Sequence, residues 1–220
     1  MSTGLFITFE GIEGSGKTTQ IELLTHFLRQ RQVPHLVTRE PGGSPLGERL
    51  RDVILDQVSL LVSPMAELLL IEADRAQHVT EVIRPALAQG KVVVCDRFTD
   101  ATVAYQGGGR GVPQMIIEQA NRWATDGLSP VLTILVECSV EVGMARAGGR
   151  DRFEREGFAF HERVRREYLR IAREHPGRVK VVPGERDHDA VQEEIRGHLR
   201  PLLANLRAPR TQTRSGRGVS

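Results

Sequence analysis

Residues 11–18 read GIEGSGKT and fit the pattern G-x-x-x-x-G-K-[ST]. They follow a short apolar run, LFITFE at 5–10. They precede a stretch with helical spacing, in which Ile21, Leu24, Phe27 and Leu28 share one face. A strand, a glycine-rich turn and a helix start, in that order, aim backbone N–H groups and the positive end of a helix at one point. That is a cradle for polyphosphate. Gly11, Gly14 and Gly16 allow the tight turns, with Ile12, Glu13, Ser15 and Thr19 completing the loop. Lys17 is placed to bridge β- and γ-phosphates and the Thr18 hydroxyl to ligate Mg²⁺. One residue does not fit. Glu13 puts a carboxylate in the middle of a loop made for anions.

The rest of the chain repeats the strand–helix alternation. Strands are expected at 35–38, 91–96, 131–137 and 179–182, and helices at 46–55, 64–89, 113–123, 140–147, 158–174 and 190–206. Pro85 is expected to kink the long helix at 64–89, and Gly90 to end it. Strands alternating with helices imply an α/β fold whose parallel sheet is covered on both faces. The chain has 220 residues and a hydrophobic fraction of 40%, enough for one domain with a substantial core. We read residues 1–207 as that domain. Residues 208–220, rich in Arg, Ser, Gly and Thr without periodicity, are expected to form a disordered basic tail.

Formal net charge is +2, too small for the whole molecule to bind nucleic acid by electrostatics. No apolar run approaches the ~18 residues of a membrane-spanning helix, and no charged leader with an apolar run opens the chain. Cys95 and Cys138 each close an apolar run and neither belongs to a CxxC, which favours core thiols over metal ligands. These features lead us to expect a cytoplasmic, reduced protein.

Asp96 and Arg97 end the apolar run KVVVCDR. Ligands of parallel sheets bind beyond the carboxyl ends of strands, so this pair should face the phosphate loop. There Asp96 could hold Mg²⁺ or its water, and Arg97 could bridge phosphates. Further arginines fall at element ends or on helix faces: Arg39 in REPGG, Arg51 in ERLRD, Arg75 in EADRAQ. Arg150, Arg152 and Arg155 lie in the glycine-bracketed stretch 148–157. Phosphoryl transfer between two phosphorylated molecules must gather many negative charges, and converging arginines would do so. The loop alone is equally compatible with an ATPase, a GTPase or a regulatory nucleotide-binding protein. No N-K-x-D guanine-reading motif is present.

GIEGSGKTT, REPGGSPLGERLR, DRFTDATVAYQGGGRG and RDRFEREGFAFHERVRREY together closely resemble the thymidylate kinase family, in order from about residue 5 to 206. The resemblance implies a P-loop kinase fold: a three-layer arrangement with a five-stranded parallel sheet flanked by helices. It implies transfer of the γ-phosphoryl of ATP to dTMP with Mg²⁺, and a homodimer. Another nucleoside monophosphate or deoxynucleoside kinase is the alternative. Carried over by motif, Lys17, Arg97, Arg150 and Arg152 are catalytic, the last two from a mobile lid at 148–157. Arg146 packs on adenine. Arg39 and Arg51 serve the dTMP side, Arg75 bonds the thymine O4, and Thr102 and Gln106 contact the base edge. Tyr105 crowds C2′ of the sugar. Glu13 turns away from the triphosphate, accepts the 3′-hydroxyl and holds the arginine on the acceptor phosphate. The family often has phenylalanine four residues before the pocket arginine, where this chain has Ile71. Aliphatic packing, or another aromatic such as Phe98, would have to replace that stack.

Overall fold

The computed structural model describes residues 4–55, 61–148 and 151–207. Arg150 and the 208–220 tail therefore lie outside the described residues. Five strands form one parallel sheet: β1 (Leu5–Glu10), β2 (His35–Arg39), β3 (Val92–Asp96), β4 (Leu132–Glu137) and β5 (Val179–Pro183), in the order β2-β3-β1-β4-β5. The expected strands fall where the apolar runs are, within a residue or two.

Side chains alternate across the pleat. Ile7 and Phe9 of β1 pack with Val92 and Val94 of β3 beneath helices α1 (Lys17–Gln30) and α9 (His188–Arg207), against Leu24, Leu28, Ile195 and Leu199. Phe6, Val93 and Cys95 point the other way, toward Val79, Ile83 and Phe98. Each face is covered, which is why the strands read as nearly unbroken apolar runs rather than alternating ones.

The expected long helix is present but is not uniform. Helix α3 (Pro64–His78) runs through a π turn at Val79–Ile83 into α4 (Arg84–Ala88). Pro85 stands at the start of α4, and the π turn just before it closes Arg84 N–H onto Val79 O. Widening the helix by one residue absorbs the donor that proline lacks. Ser63 caps α3, its side chain accepting from the Ala66 N–H.

A second π segment has no counterpart in the sequence reading. The chain after Arg97 forms α5 (Thr99–Thr102) and continues as a π helix at Val103–Gly109. It lies on α8 (Phe158–Glu174), and the glycine run permits the approach. A Cβ on Gly109 would stand 2.5 Å from the Phe160 ring. Helices α2 (Pro45–Leu55), α6 (Gln114–Thr125) and α7 (Val140–Arg146) complete the flanks.

Strand register sets the functional edge. Phe9 pairs with Asp96, which pairs with Arg39, so β1, β3 and β2 end level. The loop at 11–16 leaves this edge and packs on α7. A Cβ on Gly14 would lie 2.1 Å from Gly143 O, and one on Gly143 2.7 Å from Glu13 O. Gly14 also takes φ of 68°, a left-handed value that favours glycine. Gly143→Ala should therefore push the loop off α7. We expect about 1–3 kcal/mol lower stability from overpacking in denaturant titration, together with weaker triphosphate binding.

Candidate active site

The cavity at the carboxyl edge has a volume of about 270 Å³. The phosphate loop supplies one wall, with Glu13, Gly14, Lys17 and Thr18. Asp96, Arg97 and Phe98 come from the end of β3, and Thr102, Tyr105 and Gln106 from α5 and the π segment. Ile71 and Arg75 come from α3, Arg51 from α2, and Asp151, Phe153 and Glu154 from the 151–157 turn. Most of the residues singled out in the sequence thus converge on one space.

Gly11, Gly14 and Gly16 all have positive φ, which turns the loop around its own N–H groups. Lys17 lies inside, with Nζ donating to Gly11 O at 3.0 Å and Ile12 O at 2.9 Å. Burial pulls its pKa down to about 8, helped by the nearby Arg97 charge and opposed by Asp96, Glu13 and Glu10. The Ile12 side chain points into the core with Leu135 and Val140, so only its backbone is available to a ligand. Thr18 is exposed at the cavity, and Asp96 presents a buried Oδ1 with no hydrogen-bond partner.

Glu13 turns inward from the loop to Arg97. Arg97 Nη2 donates to its Oε1 at 2.9 Å, and Tyr105 OH lies 2.7 Å from both oxygens. His161 Nδ1 stands 3.4 Å from Oε2. Burial alone would raise the carboxyl pKa, but Arg97, His161, Lys17 and Tyr105 together hold it down at about 2. Arg97 has φ of 68°, a strained value for a side chain of this size. It is held by Nη1 bonds to Gly11 O at 2.9 Å and Tyr168 OH at 3.2 Å, and its guanidinium lies 4.8 Å from the Tyr105 ring centre.

Arg75 is almost fully buried. Its Nε donates to Glu40 at 2.8 Å, Nη1 to Glu72 at 2.6 Å and Asn121 at 2.8 Å, and Nη2 to Phe98 O at 3.1 Å. Burial works against its charge, but Glu72 and Glu40 raise its pKa above the ordinary arginine value. Phe98 lies beneath the guanidinium, 5.3 Å away, edge-on to Phe6. It supports the pocket arginine as well as lining the cavity. Gln106 Nε2 donates to Glu67 at 2.8 Å, and Thr102 Oγ1 lies beside the Glu72 carboxylate without a hydrogen bond of good geometry.

Three arginines stand elsewhere. Arg39 is half exposed and paired with Glu48, and Arg146 bonds Gly184 O beside the loop. Neither lines the cavity. Arg152 points away from the loop: its Nη2 meets Ile54 O at 2.8 Å and Glu67 Oε2 at 3.0 Å. Arg51 lines the cavity and donates to Pro41 O at 2.8 Å.

Several residues beneath the site were not expected. Glu10, fully buried, accepts from Phe98 N–H and Tyr168 OH, each at 2.8 Å. His78 bridges Glu40 and Thr38 with its two ring nitrogens. Cys95, expected as a core thiol, is buried beside them and donates to Arg97 O at 3.1 Å. Burial pushes its pKa well up.

The family model described as thymidylate kinase matches residues 9–195. The chain belongs to the thymidylate kinase family. A thymidylate kinase of Trichlorobacter lovleyi is 52% identical over 187 residues, 81% of this chain and 88% of that one. That of Geobacter sp. strain M21 is 48% identical across 97% of this chain and 99% of its own. The crystal structure of thymidylate kinase from Ehrlichia chaffeensis superposes with a TM-score of 0.72 at 35% identity, covering 90% of this chain and 99% of that one. Family and observed architecture agree on a P-loop kinase fold with a five-stranded parallel sheet.

The buried Glu10 carboxyl beneath the cavity makes stability depend on pH. Burial, with the Asp100 charge, pushes Glu10 from 4.5 up to about 8, against the pull of Arg97. Between those values the folded chain keeps a proton that the unfolded chain has released. Stability therefore falls as pH rises through that window. Glu10→Gln should remove this component. Its melting temperature should decline less than wild type's between about pH 5 and pH 8, and an equal decline would mean that Glu10 does not titrate in that range.

Proposed function

We propose that this chain transfers the γ-phosphoryl group of ATP to dTMP, giving dTDP and ADP in the supply of dTTP. The observation that carries this reading is the Glu13–Arg97 pair, which joins a triphosphate loop to a base-sized pocket inside one cavity. In this reading the loop N–H groups and Lys17 hold the β- and γ-phosphates. Lys17 leaves the loop carbonyls for the ligand, whose charge raises its pKa again. Arg97 sits between donor and acceptor and is the group best placed for the transferring phosphoryl. Such contacts act by stabilising charge in the transition state.

On the acceptor side, Arg51 takes the 5′-phosphate, with Arg39 orienting it from outside. Arg75 has one Nη2 hydrogen left for O4 of the base, and Thr102 and Gln106 meet its edge. Ile71 packs on the ring in place of an aromatic stack. Tyr105 fills the space a 2′-hydroxyl would need, and Glu13 accepts the 3′-hydroxyl. Arg146 packs on adenine. The lid contributes Arg150 and Arg152. For Arg152 to reach the phosphates, its hydrogen bonds to Ile54 O and its ion pair with Glu67 must break, so lid movement belongs to the catalytic cycle.

The residues fit Mg²⁺. The unpartnered buried Oδ1 of Asp96 and the hydroxyl of Thr18, both residues lining the same cavity, are a donor set for a hard cation or its water. Bound there with ATP, Mg²⁺ supplies neutralisation of phosphate charge. The test is ADP release with ATP and Mg²⁺, offering dTMP, dUMP, dCMP, dGMP, AMP and thymidine separately. We expect dTMP to dominate. A flat profile, or thymidine preferred, would refute the assignment of the acceptor pocket.

No helix among the described residues is long and apolar enough to cross a membrane, and we place the reaction in the cytoplasm. We also propose a homodimer formed through α3 and α6. A groove of about 670 Å³ lies between them, with Leu69, Met115, Ile116 and Trp123 exposed along it. An apolar patch of this kind is uncommon on a monomer. Trp123→Glu with Met115→Glu should move the chain from dimer to monomer in sedimentation, whereas a monomeric wild type would exclude this surface.

A further inference from the structure

Glu67 lies on α3, fully buried, and belongs to none of the motifs that marked the site. Its Oε1 accepts Gln106 Nε2 at 2.8 Å and faces Arg110 Nε at 3.3 Å. Its Oε2 pairs with Arg152 Nη2 at 3.0 Å. A carboxylate flanked by two guanidinium groups offers acceptors only. An amide that meets it must turn its NH₂ group toward it, because the opposite orientation would set oxygen against oxygen in a buried place. The Gln106 carbonyl oxygen is then the atom left for the cavity, which Gln106 lines.

That oxygen is an acceptor. Thymine and uracil present a donor at N3–H, whereas cytosine presents a bare N3 that also accepts. A fixed carbonyl therefore attracts the first two and repels the third. If the amide were free to turn, it could offer NH₂ to cytosine, and the discrimination at N3 would be lost, leaving only that of the Arg75 donor at position 4.

We infer that Glu67 is a positioning residue for base selection: it locks the Gln106 amide with its carbonyl toward the acceptor base, so that N3–H pyrimidines are taken and cytosine is refused. This rests on the reading that the base lies against Gln106. Arg75 does not supply this selection at N3, since its free hydrogen is assigned to O4. Nor can the amide separate dTMP from dUMP, whose N3 positions are alike.

The experiment compares kcat/KM for dTMP, dUMP and dCMP in wild type, Glu67→Gln, Gln106→Leu and the double exchange E67Q/Q106E, with melting temperatures for each. In Glu67→Gln the neighbour can donate as well as accept, so the Gln106 amide is free to turn. The dTMP-to-dCMP ratio should fall about tenfold or more, mainly through KM, while the dTMP-to-dUMP ratio holds. A folded Glu67→Gln protein whose dTMP-to-dCMP ratio stays within about twofold of wild type overturns the inference. Equal losses for all three substrates do so too, since they would reflect only a displaced lid or a loosened fold.

The double exchange keeps one carboxylate and one amide in the cluster and restores an acceptor, now at position 106. It should recover the preference for dTMP over dCMP, and failure to recover it counts against the inference. If Glu67→Gln does not fold, the double exchange decides alone by the same criterion. Gln106→Leu separates the two layers of the argument. An unchanged ratio there would mean that the base is not read at Gln106, so the underlying reading falls and takes the inference with it.

Discussion

A carboxylate and a guanidinium meet, largely shielded from water, at the carboxyl edge of the sheet, and neither could stand there alone. Glu13 and Arg97 are 2.9 Å apart and both largely shielded from water. Removing one partner of such a pair typically costs about 3–5 kcal/mol, because the other charge is left without compensation. The pair is held from four directions: the phosphate loop, the end of β3, the π segment through Tyr105, and α8 through His161 and Tyr168. The left-handed backbone of Arg97 is tolerated because these contacts over-determine it. Most of the cavity's shape follows. The acid that looked misplaced in an anion-binding loop is turned inward by the arginine it needs.

The same logic governs the Arg75 end of the cavity. Arg75 meets Glu40, Glu72, Asn121 and the Phe98 carbonyl before any ligand arrives. Its side-chain entropy is lost on folding rather than on binding, so the pocket is pre-organised. Beneath both arginines lies a layer of groups that never reach the cavity: Glu10, His78, Cys95 and Tyr168. They fix backbone and ring positions that a substrate meets only indirectly. Rigid support of this kind keeps reacting groups in register.

The sheet was legible because each strand is an apolar run with a turn signal at its end, and every strand falls within a residue or two of the reading. The segment at 99–109 carried no legible element. Its glycines argue against a helix locally, and the close packing that calls for them, Gly109 on Phe160 and Gly108 on Glu167, comes from a helix distant in sequence. The loop and most of the pocket arginines could be named from motifs, since strand ends and helix faces fix where their backbones lie. The direction of a long side chain is not fixed in that way. Arg39, Arg146 and Arg152 sit on suitable elements but turn to Glu48, Gly184 and Glu67. Glu67 and His161 were missed because lone polar residues on helices usually face water. Spacing held the clue: Glu67, Ile71, Arg75 and His78 form one stripe of α3, and His161 shares the stripe of Val164, Tyr168 and Ile171 on α8.

Helix α3 has two employed sides. Toward the cavity it sends Ile71 and Arg75, with Glu67 behind Gln106; toward the outer groove it sends Met65, Leu69, Ala73 and Ala76. Leu68 and Glu72 line the groove too, and Glu72 reaches back to hold Arg75. In the proposed homodimer no face of this helix would be left for water alone. Sequence drift on it is therefore confined from opposite directions, and a change that suits one side is judged at once by the other. A lineage adapting its choice of nucleotide would do so more freely in α5 or the lid than along this helix.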